Sequence, residues 1–404
     1  MKGFLKSSFK WLAILLVGLP LSLYFILVII NLVDEDTSPL VLAFEQTLEQ
    51  ISQVPDEDNA FIYFMGIEAP EKADFLAIGQ KKTKLLSQNI TTNALGDSAN
   101  NLIVPSLQFS DDLFGCDIAN AVETRCSETL SQNLEAINRL LADTKTLRSR
   151  YEKLTQLPAW YEVLSKEASV TNIMQLSTLV NLNHLAMLEL WLEATPDKAQ
   201  HVKDRFEQQG KFLRMQLANS HLLLTKMVAL EVYQQFLQWF EFIVIDKKLP
   251  KQSFASIQSI QQPLSKGERS MELVAKGELD FFQRMVNKGF FLEQSKGDFV
   301  GRLGYQSLFL IFNEQATYNL YAEFLHANSQ QTVASTHVDI LKQQCEWSLS
   351  NAVLWYSYNP LGKIMTCATI ASDDMSNGYF TSYFDRITKA ETARVTLVDD
   401  MLRP

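Results

Sequence analysis

Two pairs of neighbouring carboxylates are the residues of this sequence best spaced for acid–base chemistry. Glu189 and Glu193 lie one helical turn apart in LELWLEA, and Asp373 and Asp374 are adjacent in SDDMSNGYF. Glycosidases and lytic enzymes of the cell wall need two carboxyl groups at a suitable separation, so either pair is a candidate. The simpler interpretation is structural, because the glutamates also mark the polar edge of a helix and the aspartates a loop or a helix cap.

Motifs with a more specific chemistry are absent from the sequence. HExxH, GxSxG, GxxxxGK[ST] and GxGxxG do not occur, so zinc-protease, serine-hydrolase and nucleotide-binding sites lack their usual residues. The five histidines are scattered, and His184 in LVNLNHLAML is predicted to be a packed, hydrogen-bonded core residue. We therefore expect no cofactor and no metal, and an enzyme is the less favoured hypothesis.

The four cysteines, Cys116, Cys126, Cys345 and Cys367, are an even number, as expected in an oxidising compartment. Short separations favour two local disulfides, Cys116 with Cys126 and Cys345 with Cys367. The second pair brackets Asn359-Pro360-Leu361-Gly362, which is a turn signal. The other connectivities, or four free buried thiols, are the alternatives. A zinc site is not expected, because no CxxC pair occurs.

Residues 11–33, WLAILLVGLPLSLYFILVIINLV, carry no charge. A helix of this length, at 1.5 Å per residue, matches the roughly 30 Å hydrocarbon thickness of a bilayer. The apolar region of a cleaved signal peptide is shorter, about 7 to 15 residues, and is followed by a small-residue cleavage site that is missing here. Pro20 is tolerated in membrane helices. The segment is therefore predicted to be a permanent transmembrane anchor.

Charges on either side of the anchor predict its orientation. The charged residues before the anchor are all basic, namely Lys2, Lys6 and Lys10. The charged residues that closely follow it are all acidic, namely Asp34, Glu35 and Asp36. By the positive-inside rule, the N-terminus is cytoplasmic and residues 34–404 are translocated. A second span is not expected, because the most apolar later stretch, 228–245, carries polar residues at helical spacing.

Composition favours a folded, helix-rich protein without a nucleic-acid partner. Apolar residues make up 47% and charged residues 20%, which is a globular balance. With 15 glycines and 11 prolines in 404 residues, the turn residues that a many-stranded β protein needs are scarce. The net charge of −10 and the lack of a basic block argue against binding to nucleic-acid phosphates.

Apolar residues at steps of three and four predict several long helices. They run from Pro39, capped by Ser38, to before Pro55, from Leu130 to near Pro158, from a cap at Thr171 to near Pro196, and from a cap at Ser220 to Ile245. Short joints between the long helices predict antiparallel packing. A short hairpin around Asn359 to Gly362 is an alternative to helix near the C-terminus.

The predicted fold class is all-α, with an N-terminal transmembrane helix followed by a multi-helix periplasmic bundle. The sequence divides into a cytoplasmic N-terminus (1–10), the anchor (11–33), membrane-proximal helices with a disulfide loop (34–125), an antiparallel helical bundle (126–250) and an aromatic-rich helical region with the second cysteine pair (251–404).

Three stretches, NAFIYFMGIEAPEKADFLAIGQ, SHLLLTKMVALEVYQQFLQ and YNPLGKI, resemble segments of uncharacterised, membrane-anchored helical proteins of Gram-negative bacteria. The resemblance implies an inner-membrane protein with its bulk in the periplasm, and it implies no activity. We expect a scaffold or interaction module of the cell envelope, whose partners are the lipid bilayer, through 11–33, and another envelope protein. The alternative is an envelope enzyme that acts on peptidoglycan or lipid through a carboxylate pair.

Overall fold

The structure is a computed structural model that describes residues 14–87, 102, 118, 121, 125–163, 176–289, 299–330, 334–346, 355–375 and 379–402. Within these residues the chain forms 18 α-helices. A single backbone bridge, between Asn59 and Ala159, is the β-type pairing in this part of the chain, and it does not extend into a strand. The prediction of an all-α fold is confirmed.

Helix lengths vary widely, and the longest helix of the described residues has 24 residues. The first nine helices are Leu19–Ile30 (α1), Pro39–Ile51 (α2), Ala60–Met65 (α3), Phe75–Ser87 (α4), Cys126–Gln132 (α5), Leu134–Asp143 (α6), Lys145–Leu154 (α7), Leu176–Glu193 (α8) and Ala199–Asn219 (α9). The other nine are Leu223–Asp246 (α10), Gln258–Gln261 (α11), Lys266–Arg269 (α12), Glu272–Met285 (α13), Phe299–Phe309 (α14), Glu314–Ser329 (α15), Ala334–Cys345 (α16), Pro360–Met375 (α17) and Tyr379–Leu397 (α18).

The chain forms two compact units, and each is built from separate stretches of sequence. Unit 1 comprises Met1–Thr47 and Leu279–Tyr379, and unit 2 comprises Leu48–Glu278 and Phe380–Pro404. The predicted boundaries at 125 and 250 do not coincide with those of the units, which are defined by contacts rather than by sequence pattern. That division of the sequence stays a prediction.

The core of unit 2 is formed by the long helices α8, α9 and α10. The ring of Phe206 on α9 packs edge-on against Phe236 and Phe240 of α10, with centroids 5.8 and 4.9 Å apart. One turn further along α9, the side chain of Gln209 donates to Asn183 of α8. Since three residues connect α9 to α10, these two helices run antiparallel, as the sequence predicts.

The long helix predicted after residue 130 is interrupted twice. It forms α5, α6 and α7, with breaks at Asn133 and Thr144. The Asn133 side chain donates to the carbonyl of Thr129, and the Thr144 hydroxyl to that of Leu140. The backbone N–H groups of Asn133 and Thr144 bond to the same carbonyls, and the apolar pattern continues through both breaks.

Helix starts agree with the sequence in one case and differ in others. Pro39 begins α2, and the Ser38 hydroxyl accepts from the Val41 amide at 3.3 Å, as predicted. The hairpin considered around residue 359 is wrong, because Asn359 is left-handed (φ 48°) and Pro360 begins α17. Thr171, the predicted cap of α8, lies outside the described residues.

One of the two predicted disulfides is confirmed. Cys345 at the end of α16 is bonded to Cys367 in α17, with an S–S distance of 2.05 Å. Cys126 is buried at the start of α5. Its predicted partner, Cys116, lies outside the described residues, so the first pair stays a prediction.

Candidate functional site

A cluster of buried ionisable side chains lies in unit 2 at the start of α10. Glu162 is fully buried, and its Oε1 accepts from the indole N–H of Trp160 at 3.0 Å. Its Oε2 accepts from the backbone N–H groups of His221 and Leu222 at 2.9 and 3.2 Å. Because the first N–H groups of a helix have no partner within the helix, a carboxylate here satisfies them and also interacts favourably with the helix dipole.

A second carboxylate completes this helix start. Glu278, near the middle of α13, accepts from the backbone N–H of Leu223 at 2.9 Å. Ser220 was predicted to cap α10, but that prediction is wrong, because the buried hydroxyl of Ser220 has no hydrogen-bond partner. The cap is instead supplied by two acids that lie more than 50 residues away in the sequence.

The two carboxyl groups have opposite pKa shifts. Burial alone raises the pKa of Glu162, but the charge of the nearby His221 ring and the N–H donors hold this pKa below its usual range. The ring Nδ1 of His221 is 2.9 Å from Oε2 of Glu162, although it is not aligned for a hydrogen bond. Burial raises the pKa of Glu278, and the bond from Leu223 offsets this only in part. Such opposed shifts are typical of acid–base pairs in enzymes.

Lys226 adds a buried amine to the same helix. It is fully buried on the first turn of α10, and its Nζ donates to the carbonyl of Ser270 at 2.6 Å and to that of Gly267 at 3.3 Å. Nζ also lies 5.5 Å from the centroid of the Tyr383 ring. Burial lowers the pKa of Lys226 to about 7. A lysine with this pKa is chemically suited to act as a base near neutral pH.

Access decides what this cluster can do. Glu162 and Lys226 are 0% exposed and His221 is 2% exposed, so a sugar or lipid substrate cannot reach them. The side chains of Gln216 and Thr225 beside them are fully buried too, and their polar atoms have no protein partner. Apart from the Trp160 indole and the Tyr383 ring, the partners of Glu162, Glu278 and Lys226 named above are backbone groups. The cluster therefore positions the start of α10 and the segments packed against it.

The carboxylates predicted from the sequence are placed differently. On α8, Glu189 is ion-paired with Arg148 and also lies 3.6 Å from Arg205. Glu193 lies 3.4 Å from the ring of His201. Glu189 thus has arginine neighbours and Glu193 a histidine neighbour, and both glutamates lie on the polar edge of their helix. Asp373 and Asp374 lie near the end of α17, and their side chains are outside the described residues.

His184 is the packed histidine that the sequence predicts. It is buried in α8, and its Nδ1 accepts from the indole N–H of Trp239 at 3.3 Å. Burial lowers the pKa of His184 to about 4, which keeps the ring neutral at physiological pH. Among the described residues, no group of three or more His, Cys, Asp or Glu side chains is arranged to hold a metal ion.

An open cleft of about 500 Å³ lies in unit 2 between the segment after α7 and the side of α9. Its polar groups are engaged with one another or with neighbours: Gln208 donates to the Thr155 hydroxyl at 2.8 Å, and Glu207 accepts from both the backbone and the hydroxyl of Ser259. The lining includes Thr155, Pro158, Asp204, Gln208, Lys211 and Met215.

In unit 1, three buried asparagines join the end of α1 to the starts of α15 and α17. The Asn31 Oδ1 accepts from the backbone N–H of Asn359 at 2.6 Å and from the Asn313 amide at 3.3 Å. The Asn359 Oδ1 accepts from the backbone N–H of Asn313 at 3.1 Å, and its Nδ2 donates to the Thr317 hydroxyl at 2.9 Å. We call Asn31, Asn313 and Asn359 the asparagine clamp.

Acidic residues that follow α1 strengthen this attachment. The Asp34 carboxylate accepts from the backbone N–H groups of Gln315 and Ala316, at 3.1 and 3.0 Å, and so caps α15. The Glu35 carboxylate accepts from the side chain of Asn319 at 3.0 Å. The acids read from the sequence as an orientation signal are therefore also structural groups.

Helix α1 itself has 12 residues, and none of them is buried. Large apolar side chains along it and its flanks are between 43% and 76% exposed: Leu16, Val17, Leu19, Leu21, Leu23, Phe25, Ile26, Ile29, Ile30, Leu32 and Val33. No helix in the described part of the chain combines the length and the apolar character needed to span a bilayer.

Comparison with known proteins gives no further information on the site. No protein-family model, no curated protein and no solved structure matches this chain.

Proposed function

We propose that residues 11–33 anchor this protein in the inner membrane of a bacterium, and that the helical units serve as an interaction module of the cell envelope. The observation that carries the proposal is the exposed apolar surface of α1 together with its attachment to unit 1 through the asparagine clamp. Exposing this much apolar surface to water costs about 25 cal/mol for each Å², and lipid chains remove that cost.

The bonds from the end of α1 to α15 and α17 support an anchor that stays joined to the folded chain. A leader to be removed needs no specific bonds to the mature protein, whereas Asn31 and Asp34 bond to residues near 313, 316 and 359. The lysines before the segment and the acids after it support a periplasmic position for both units. The resemblance of three stretches to segments of helical envelope proteins of Gram-negative bacteria supports the same location.

An envelope enzyme that uses Glu189 and Glu193 is the alternative, and the contacts of these residues do not favour it. Glu189 has two arginine neighbours and Glu193 a histidine, as expected for a structural polar edge. If the Glu189→Gln and Glu193→Gln variants lose activity on peptidoglycan or lipid while remaining folded, the enzyme hypothesis replaces the interaction module.

The anchor is tested by alkaline carbonate extraction of membranes from cells that express the full chain. We expect the wild type to stay in the pellet and the double variant Leu23→Lys/Ile26→Lys to be released, because each lysine at the centre of a span costs about 2.5 to 3.5 kcal/mol. The matched control is Leu224→Lys/Ile245→Lys in unit 2, where the two residues are 50% and 54% exposed, against 53% and 52% for the anchor pair. Release of the wild type, or retention of the anchor variant, contradicts the proposal.

The interaction module is tested by crosslinking in intact membranes, followed by identification of the captured protein. We expect one envelope protein to be recovered from the wild type, and not from a released anchor variant. If no partner is recovered while the purified chain turns over a cell-wall or lipid substrate, the interaction module is wrong.

A further inference from the structure

Helix α14 of unit 1 is a second apolar helix whose side chains are exposed or only partly buried. None of its residues from Gly301 to Phe309 is buried, and neither is Leu310, which follows it. Leu303, Leu308 and Leu310 are 51%, 37% and 48% exposed. A water-exposed helix normally places charged residues on its outer face. In residues 299–313 the only charged residue is Arg302, so this surface resembles that of α1 rather than that of a solvated helix.

Helix α14 lies beside the anchor. The Tyr24 hydroxyl of α1 donates to the carbonyl of Ser307 in α14 at 3.0 Å. Tyr24 is near the middle of residues 11–33, and it precedes Asn31 by seven residues, or about 10 Å of helix rise. Ser307 precedes Asn313 of the asparagine clamp by a similar length of chain. The segment therefore extends from the clamp along α1 toward the centre of the apolar run.

Aromatic and basic side chains mark the level where the apolar run ends. The Tyr358 hydroxyl donates to the carbonyl of Val33, the last residue of the run, at 3.4 Å. The Lys363 Nζ lies 4.2 Å from the Trp355 ring and 5.7 Å from the Tyr358 ring. Tryptophan and tyrosine collect at membrane–water interfaces, where lysine extends its charge into the headgroup layer.

The length of α14 limits how it can meet a membrane. It has 11 residues, which rise about 16 Å, roughly half of the hydrocarbon thickness. Apolar segments of this length lie in the interface or enter one leaflet without crossing it. A helix satisfies its own backbone hydrogen bonds, so it can enter the apolar layer, whereas an irregular segment exposed to lipid cannot.

We propose that α14 and Leu310 form a second membrane contact, which enters the leaflet on the side of the two units next to the anchor, with Trp355 and Tyr358 at headgroup level. This inference rests on the proposed anchor and adds a lipid-facing surface to it. The occupant is lipid rather than a partner helix, because the exposed surface of α14 continues from that of α1 and an aromatic border follows at the end of the same apolar run.

The test uses the full chain in phosphatidylcholine liposomes, with one added cysteine that carries an environment-sensitive fluorophore. The described native cysteines are not free, so the label reports the added site. The variants are Leu308→Cys in α14, Ile26→Cys in the anchor and Leu224→Cys in unit 2, the last as a matched exposed leucine. The fluorescence of each labelled variant is measured with two quenchers in separate samples, a nitroxide attached to the lipid chains and iodide in the aqueous phase.

We expect the lipid nitroxide to quench the probes at 308 and 26 at least about twofold more than the probe at 224, and iodide to show the reverse order. If the lipid nitroxide quenches the probe at 26 but only iodide quenches the probe at 308, the second membrane contact is wrong and the anchor is still supported. Iodide quenching at both sites overturns the anchor as well. Protection at 308 from both quenchers means that protein covers α14, which also overturns the inference.

Discussion

The two units fix their helix starts with different chemistry. In unit 2, the buried carboxylate of Glu162 accepts from the first amides of α10. In unit 1, the asparagine clamp joins α1, α15 and α17 through neutral amides, which donate and accept at once. A buried ion needs compensating partners and responds to pH, whereas a buried amide needs only hydrogen bonds. The buried neutral amides lie in the unit that carries the exposed apolar helices, where the partly exposed Asp34 carboxylate also caps α15.

The largest effect is expected from Glu162→Ala. It leaves the Trp160 indole and the amides of His221 and Leu222 without their acceptor and removes the carboxylate beside the His221 ring, so unit 2 should lose about 4 kcal/mol of unfolding free energy. Denaturant unfolding followed by the fluorescence of buried Trp160 and Trp239 measures it. Glu162→Gln keeps an acceptor and should lose less; equal losses in both variants would show that the bonds to the amides are not what stabilises this start.

The corresponding change in unit 1 is Asn359→Ala. It removes the acceptor for the Asn313 amide and the donor to Thr317, and it places alanine at a positive φ, so we expect a loss of about 3 kcal/mol. Asn359→Gly relieves the backbone strain but not the lost bonds and should recover about 1 kcal/mol. Limited proteolysis of unit 1 with mass spectrometry is the measurement. Unchanged cleavage in both variants would show that the clamp does not stabilise unit 1.

The dependence of stability on pH should differ between the ionisable cluster at the start of α10 and the asparagine clamp. The pKa of Lys226 is lowered to about 7 when folded, from 10.5. Between these values the unfolded chain binds the extra proton, so this lysine opposes folding fully below pH 7, and its effect declines as the pH rises.

We therefore expect the stability of the wild type relative to Lys226→Met to improve by about 2 kcal/mol from pH 7 to pH 9. Thermal unfolding across this range measures the difference. The asparagine clamp has no titrating group, so Asn359→Gly should differ from the wild type by a constant amount over the same range. If the stability difference between the wild type and Lys226→Met does not change from pH 7 to pH 9, the pKa of this amine is not lowered by burial. The charges of Glu162 and Glu268 act against that lowering.

The smallest effect is expected from Glu189→Gln. Its carboxylate is 21% exposed and pairs with arginines at the edge of unit 2, where ion pairs are worth about 1 kcal/mol or less. Unfolding in low and high salt measures it, and the difference should shrink as salt screens the pair. A loss as large as that of Glu162→Ala would remove the contrast between buried and surface acids.

Helix content and the start of α2 could be predicted from the sequence, because local patterns determine them. The apolar spacing, the Ser38-Pro39 start and the short Cys345–Cys367 separation involve neighbouring residues. The breaks at Asn133 and Thr144 were not predicted, although both side chains bond to carbonyls four residues back. An apolar pattern cannot show those bonds, because it continues unchanged through them.

The polar networks could not be predicted, since their members are distant in sequence. Glu162 is a lone acid in the aromatic stretch PAWYEVL, and its partner amide is 59 residues away. The available signal was its position among aromatic and apolar residues. An isolated acid in such a stretch is equally compatible with a surface position. Asn31 lies 282 residues from Asn313 and 328 from Asn359, and asparagine is common in loops without any tertiary partner.

The asparagine clamp has a consequence for the order in which the protein is made. Asn31 is synthesised 328 residues before the Asn359 amide that bonds to it. At about 5 to 20 residues per second, translation separates the two by roughly 15 to 65 seconds. Most of unit 2, the continuous stretch from Leu48 to Glu278, emerges in the meantime and can begin to collapse. The clamp of unit 1 cannot form until residue 359 has been synthesised, and residues 380–404, which complete unit 2, follow later still. The exposed apolar side chains of α1 are therefore present for most of translation without the bonds of Asn31 to Asn313 and Asn359.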